Sequence, residues 1–198
     1  GTASSKELRS LASRYLAFVN NAFNAPRGRF RNFLPYSRLW NEEIGSEESH
    51  GRALWALGSV VGRASDPGRQ SLSSDLFHAA LSAVGDFSSP RAWAYTLLGI
   101  EEYLRAFAGD SSVQAERKAL AGRLMGLFER ASSPDWPWFE EELAYDNAKL
   151  AHALILTGRA TGQTAVFERG LTALRWLAEV QTSEHGHLRP IGSNGFYR

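Results

Sequence analysis

The sequence predicts an all-α domain built from stacked helical hairpins, and three observations carry that reading. Apolar residues recur at three-to-four spacing almost throughout, as in Leu8, Leu11, Tyr15, Phe18 and Val19. Three segments rich in Ala and Leu, Arg52-Ala-Leu-Trp-Ala-Leu-Gly58, Arg91-Ala-Trp-Ala-Tyr-Thr-Leu-Leu-Gly99 and Asn147-Ala-Lys-Leu-Ala-His-Ala-Leu-Ile155, resemble one another and begin 39 and 56 residues apart. More amphipathic helices lie between them, and buried helices alternating with half-exposed ones describe hairpins stacked side by side. The unequal spacing argues against a regular solenoid. It suits an α/α toroid, in which inner helices ring an axis and long loops at one end build a site. Seven helices make a partial toroid, about half of six hairpins.

The elements follow in order. The first helix carries the Leu8–Val19 stripe. An irregular stretch, 24–47, is rich in Pro, Gly, Arg and Asn. A second helix is expected over 48–62, and a third over 74–84 through Leu76, Phe77, Ala80, Leu81 and Val84. A fourth opens at Ser89-Pro90, with Ser as cap and Pro in the first turn, and runs to 108 before Gly109. A fifth opens with Ser111-Ser-Val-Gln114, a capping box. A sixth begins at Asp146, a good cap, and ends near 158–162. A seventh spans 164–181. The tail, 183–198, reads as loop or short strand.

Composition bounds the function. The 198 residues suit one domain, 43% hydrophobic, with 22 basic against 21 acidic side chains. That balance gives no electrostatic reason to expect nucleic acid or an anionic membrane as partner. No apolar run approaches the roughly 18 residues that span a bilayer, and no secretory signal is visible, so a cytoplasmic location is expected. Cysteine is absent, which excludes disulfides and thiol chemistry. The chain starts with Gly1 and holds one Met, Met125, and is read as a piece of a longer protein.

Two segments look like the walls of a site. The first, from Asn32 to Arg52, packs Tyr36 and Trp40 with Glu42, Glu43, Glu47, Glu48, His50 and Arg52 ahead of an apolar helix. Carboxylates beside flat rings suit a sugar, which needs both hydroxyl acceptors and an apolar face. Glycoside chemistry commonly uses one carboxyl as general acid and another as base or nucleophile. Acidic residues at a helix N-terminus also favour the dipole with no ligand at all. Arg52, on an inner helix, is expected to pair with one of these carboxylates. The second wall is Asp135-Trp-Pro-Trp-Phe-Glu-Glu-Glu-Leu-Ala-Tyr-Asp-Asn147. Trp136 and Trp138 lie in a Pro-containing loop and are candidate stacking rings; Glu140, Glu141, Asp146 and Asn147 sit at the same helix entrance. The plain alternative is that both Trp plug a gap between hairpins and Asp146 merely caps. If the domain is catalytic, one carboxylate from each wall, Glu47 or Glu48 against Glu140 or Asp146, is the expected acid–base pair.

Two further segments are weaker. His185-Gly-His187 could bind zinc on spacing, but there is no Cys and no obvious third ligand. It is read as a polar lining loop with Arg189, Asn194 and Tyr197, and no metal or cofactor is expected. Arg27-Gly-Arg-Phe-Arg-Asn32 is basic with one ring, and solvated or carboxylate-paired arginines are the better reading. The chain lacks a glycine-rich phosphate loop, a Gly-x-Ser-x-Gly elbow and a His-Glu-x-x-His helix. It also lacks the Asp-rich helix motifs of terpene cyclases.

Five motifs together resemble a bacterial family of six-hairpin α/α toroid domains. They are Arg31-Asn-Phe-Leu-Pro-Tyr36, Glu42-Glu-Ile-Gly-Ser-Glu-Glu-Ser-His-Gly-Arg-Ala-Leu-Trp-Ala-Leu-Gly58, Trp136-Pro-Trp-Phe-Glu140, Tyr145-Asp-Asn-Ala-Lys149 and the Gly-Ser-Asn-Gly-Phe-Tyr segment ending at Tyr197. The resemblance spans about 32–198, and its most specific block is Gly-Ser-Glu-Glu-Ser-His-Gly-Arg. It implies a six-hairpin, glycosidase-like toroid associated with glycosyltransferases, including mannosyltransferase-like proteins. Carbohydrate is then the implied partner, together with a glycosyltransferase domain and later hairpins not contained in this sequence. The other expectation is a non-catalytic helical-repeat scaffold for protein or interdomain docking. It calls for an exposed apolar strip and for two walls that stay apart.

Overall fold

A computed structural model describes residues 5–191 and Tyr197. Among them are seven α-helices: α1 Ser5–Ala22, α2 Glu47–Arg63, α3 Pro67–Leu81, α4 Pro90–Tyr103, α5 Ser111–Ala131, α6 Ala148–Thr161 and α7 Thr164–Val180. Two-residue strands, β1 Phe23–Asn24 and β2 Arg29–Phe30, pair antiparallel after α1. The all-α class is as the sequence predicts.

Helices α2, α4 and α6 run parallel and form an inner layer. Gly51 lies against Ala92, Gly58 against Gly99 and Gly62 against Glu102, so α2 and α4 advance together. Arg91 meets Asn147 at one end of the α4–α6 pair, and Leu104 borders Ala160 at the other. The remaining helices run the opposite way. Gln70 of α3 bonds Val61 of α2 while Ala80 meets His50; Arg117 of α5 pairs with Glu101 of α4; Gly158 and Phe167 start the α6–α7 hairpin. This antiparallel pairing follows from short connections between amphipathic helices.

The α2–α4 contact is a backbone contact. A Cβ on Gly58 would stand 2.1 Å from the carbonyl oxygen of Gly99, and one on Gly99 2.6 Å from that of Leu54. Only glycine permits that approach, and it fixes the relative height of the two helices. The contact register is 41 residues, as Gly51–Ala92 and Gly58–Gly99 both show. The residue level with Arg91 is therefore His50, not Arg52 as the repeat suggested.

Several boundaries differ from expectation. Helix α3 starts at Pro67, where Asp66 caps by accepting from the Arg69 N–H; its first turns, Pro-Gly-Arg-Gln-Ser, carry no apolar period. Asp110, not Ser111, caps α5, accepting from the N–H groups of Ser112 and Val113. Helix α4 stops at Tyr103, before the expected 108. Asp146 does not cap α6. The cap position belongs to Asn147, and Asp146 sits at φ 46° with its side chain turned to α4.

Candidate functional site

The parallel inner helices bring their N-terminal ends together, and the two walls meet there. The Tyr145 hydroxyl donates to Glu48 across the gap, and the Arg52 guanidinium lies 3.7 Å from the Asp146 carboxylate. Arg52 also donates to the Tyr95 hydroxyl at 2.7 Å, and Tyr95 in turn donates to Asp146. The result is a closed set of Glu48, Arg52, Tyr95, Tyr145 and Asp146 drawn from α2, α4 and the loop before α6. Asp146 holds this place from the left-handed region, which Asp tolerates better than most residues but at a cost of about 1 kcal/mol or more. Burial, then the hydrogen bond to Asp146, raise the Tyr95 phenol far above its ordinary range. Burial and Glu48 raise Tyr145. Both hydroxyls therefore act as fixed donors.

One helical turn further along the inner face lies a second layer. Trp55 stacks on Tyr95, centroids 6.2 Å apart and ring planes nearly parallel. The Lys149 ammonium sits 4.4 Å from the Trp55 ring centre. Half-buried His152, one turn on from Lys149, has its pKa lowered by burial and then by that ammonium. Arg52, Trp55, Lys149 and His152 thus neighbour one another along one trough-like face of α2 and α6. Sequence reasoning missed Trp55, Tyr95, Tyr145, Lys149 and His152. The i, i+3 spacings Arg52–Trp55 and Lys149–His152 were the available signal.

Other candidates turn out to build the scaffold. His50 is fully buried between Phe30 and Phe87. Its Nδ1 accepts from the Phe30 N–H at 3.3 Å, and its Nε2 faces the Ala80 carbonyl at 3.0 Å. Burial lowers its pKa to about 4, so the ring is neutral. Trp138 is fully buried against Phe139 and Trp176, which corrects the expectation of a stacking ring. Trp136 is half-buried, packed on Trp176 and Tyr197, and donates to the Glu140 carbonyl. Both rings pack on Trp176 of α7, where burying an indole stabilises more than exposing it. Trp40 packs on Phe18.

The acidic residues divide in the same way. Glu42 accepts from the N–H groups of Asn32 and Phe33 and ties the loop. Glu43 bonds Asn24 and lies 3.7 Å from Arg31. Glu47 accepts from the N–H groups of Ser88 and Ser89 at the entrance to α4. Glu140 is held by Arg91 at 2.8 Å. That arginine, only 6% exposed in its side chain, also donates to the Tyr145 carbonyl and to Asn147. The buried arginine is therefore Arg91, while Arg52 keeps 53% of its side chain exposed. Buried Asn147 serves the same scaffold, its Oδ1 also accepting from the Ala144 N–H. These roles leave Glu48 and Asp146 as the carboxylates on the trough, in place of a free acid–base pair.

The remaining candidates lie elsewhere. Tyr36 is fully exposed on the 31–46 loop, and Glu141 is exposed beside Glu140. His185 and Arg189 are exposed on the turn closed by the Thr182–Leu188 bridge. Asn194 lies outside the described residues. No group of three His, Asp or Glu that would hold a metal occurs among the described residues, and no helix there is long and apolar enough to cross a membrane. Of the basic stretch, Arg29 donates to the Gly45 carbonyl and covers Phe87. A cleft of about 550 Å³ lies between α5, α6 and α7. Its walls, from Ala121 and Met125 to Val166, include no aromatic ring. No protein-family model, no curated protein and no solved structure matches the chain.

Proposed function

We propose that this is a glycan-binding domain of α/α toroid type, part of a carbohydrate-active protein of the glycosyltransferase kind, and that the inner trough holds the sugar. The observation that carries the proposal is the junction of Glu48, Arg52, Tyr95, Tyr145 and Asp146, built from two segments 97 residues apart at Tyr145–Glu48. A sugar ring offers hydroxyls for the carboxylates and the guanidinium, and an apolar face for Tyr145, which is 46% exposed. Binding is favoured over hydrolysis because both trough carboxylates are already engaged, Glu48 by Ser89 and Tyr145 and Asp146 by Tyr95 and Arg52. A glycan array on the wild type and on Tyr145→Ala tests it. Wild-type binding that falls severalfold to about tenfold in the variant is expected, on roughly 0.5–1.5 kcal/mol for the ring contact. Absence of glycan binding by the wild type overturns the proposal.

A second reading has its own observation. Helix α1 leaves Leu8, Leu11, Tyr15 and Phe18 between 44% and 64% exposed at heptad-like spacing. Such a strip is what a docking scaffold presents, and it lies on α1, away from the trough. The meeting of the two walls departs from the scaffold expectation, so this strip supports docking only as an addition to the sugar reading.

A further inference from the structure

Hydrogen-bonding capacity in the trough is unevenly used. The Glu48 carboxylate accepts from Ser89 Oγ and from Tyr145, and its remaining room faces Arg52. Asp146 accepts from Tyr95 and faces Arg52 at 3.7 Å. The cations are less occupied. One guanidinium nitrogen of Arg52 serves both Tyr95 and Asp146, while the side chain stays 53% exposed. A guanidinium has five N–H donors in a planar fork, so an open edge remains. The Lys149 ammonium rests on the Trp55 ring, and no carboxylate pairs with it among the described residues. His152, one turn away, is pushed toward its neutral form, so it adds no competing charge. The N-termini of α2, α4 and α6 point to this same end and add partial positive charge. The carboxylates are partly used, and the cations are more open.

Resting on the glycan-binding proposal, we infer that the trough takes a carboxylate-bearing sugar, a hexuronate unit, with its carboxylate between Arg52 and Lys149. The planar carboxylate meets the open guanidinium edge in the two-point manner that a neutral hydroxymethyl cannot match. Lys149 supplies a point charge from the other side. The ring hydroxyls are left for Glu48, and the sugar face for Tyr145. A neutral hexose in the same pose satisfies the hydroxyl contacts but leaves the Lys149 ammonium and the open edge of Arg52 without a partner.

The test compares oligosaccharides of equal length, one of hexuronate and one of neutral hexose units, by calorimetry on the full chain at low and moderate salt. The expected result is hexuronate binding at least tenfold tighter, with the preference shrinking as salt rises. Arg52→Gln with Lys149→Gln brings the two affinities together and also weakens neutral-sugar binding, because Arg52 belongs to the junction that meets the ring hydroxyls. Lys149→Gln alone, at a half-buried position with no hydrogen-bond partner to orphan, reduces the preference severalfold even if the double variant fails to fold. Equal affinity for both oligosaccharides, or a preference that Lys149→Gln leaves untouched, overturns the inference while the glycan proposal stands. Binding of neither oligosaccharide overturns both.

Discussion

Replacing Gly58 with Ala tests the framework on which the site depends. The added methyl carbon would stand 2.1 Å from the Gly99 carbonyl oxygen and 2.7 Å from its carbon. The obstacle is backbone, so no side chain can turn away. Relief requires α2 and α4 to part by about 1 Å, on the difference between this approach and an ordinary contact of about 3.5 Å shared along two helices. Overpacking a close-packed interior costs about 1–3 kcal/mol, and a rigid backbone neighbour places this case at the upper end. Better helix propensity returns about 1 kcal/mol. The net expectation is a loss of about 2 kcal/mol, or a fall in Tm of about 4–8 °C for a chain of this size. Urea unfolding followed by circular dichroism measures it as a lower midpoint at unchanged slope. Gly122→Ala is the control. Gly122 lies inside α5 with nothing within 4 Å of its added Cβ, so the same change there stabilises by about 0.5–1 kcal/mol. Gly58→Ala as stable as the wild type, or more so, would refute the backbone contact and with it the 41-residue register that aligns the site.

Three further outcomes follow from burial. Trp138→Ala leaves a large cavity beneath Phe139 and Trp176 and costs about 3–5 kcal/mol; a loss under 1 kcal/mol in urea unfolding would mean that the indole is not buried. Arg91→Met strands Glu140 and the Tyr145 carbonyl and costs about 3–5 kcal/mol, whereas Arg27→Ala, on an exposed turn, changes stability by less than about 0.5 kcal/mol; equal losses would refute the assignment of Arg91 as the buried anchor. For His50 the folded pKa, about 4, lies below the unfolded value of about 6.5. The unfolded chain therefore takes up a proton first as pH falls. The stability that a neutral His50 contributes is complete above pH 6.5 and lost progressively toward pH 4, at up to about 1.4 kcal/mol per pH unit. Urea midpoints between pH 7 and 4.5 should show that slope, flattened in His50→Gln; identical slopes would refute the buried neutral ring.

The helical class was legible because core-facing residues repeat. His50, Leu54, Leu57 and Val61 fall on one buried stripe of α2, and that spacing alone would have placed His50 in the core and not on the rim. What periodicity does not carry is the height of one helix against its neighbour. Arg52 and Arg91 look equivalent in sequence, but the glycine contacts set α4 two residues off that alignment, so Arg91 is buried and Arg52 faces outward. The start of α3 was hidden because its first two turns are polar and its signal is the Asp66–Pro67 cap. The indoles misled for a different reason. A Pro-containing loop reads as exposed, yet Trp136 and Trp138 fold back onto Trp176 of α7, where burying each ring stabilises more than exposing it.

The dipoles of α2, α4 and α6 set a limit on what the acidic rim can mean. Glu47 and Glu48 occupy the first turn of α2, where a carboxylate gains about 0.3–1 kcal/mol with no ligand present. Their position is explained by folding and cannot by itself indicate a site. The same reasoning runs in reverse for cations. Lys149 stands in the first turn of α6, where partial positive charge disfavours it, while Arg52, in the second turn of α2, lies beyond most of that field. Trp55 beneath Lys149 offsets part of that cost, and a longer cap or an exposed glutamate would avoid it altogether. Helix stability thus accounts for the carboxylates, and Asp146 with Tyr95 accounts for Arg52; Lys149 is the charge that the proposed anion would answer.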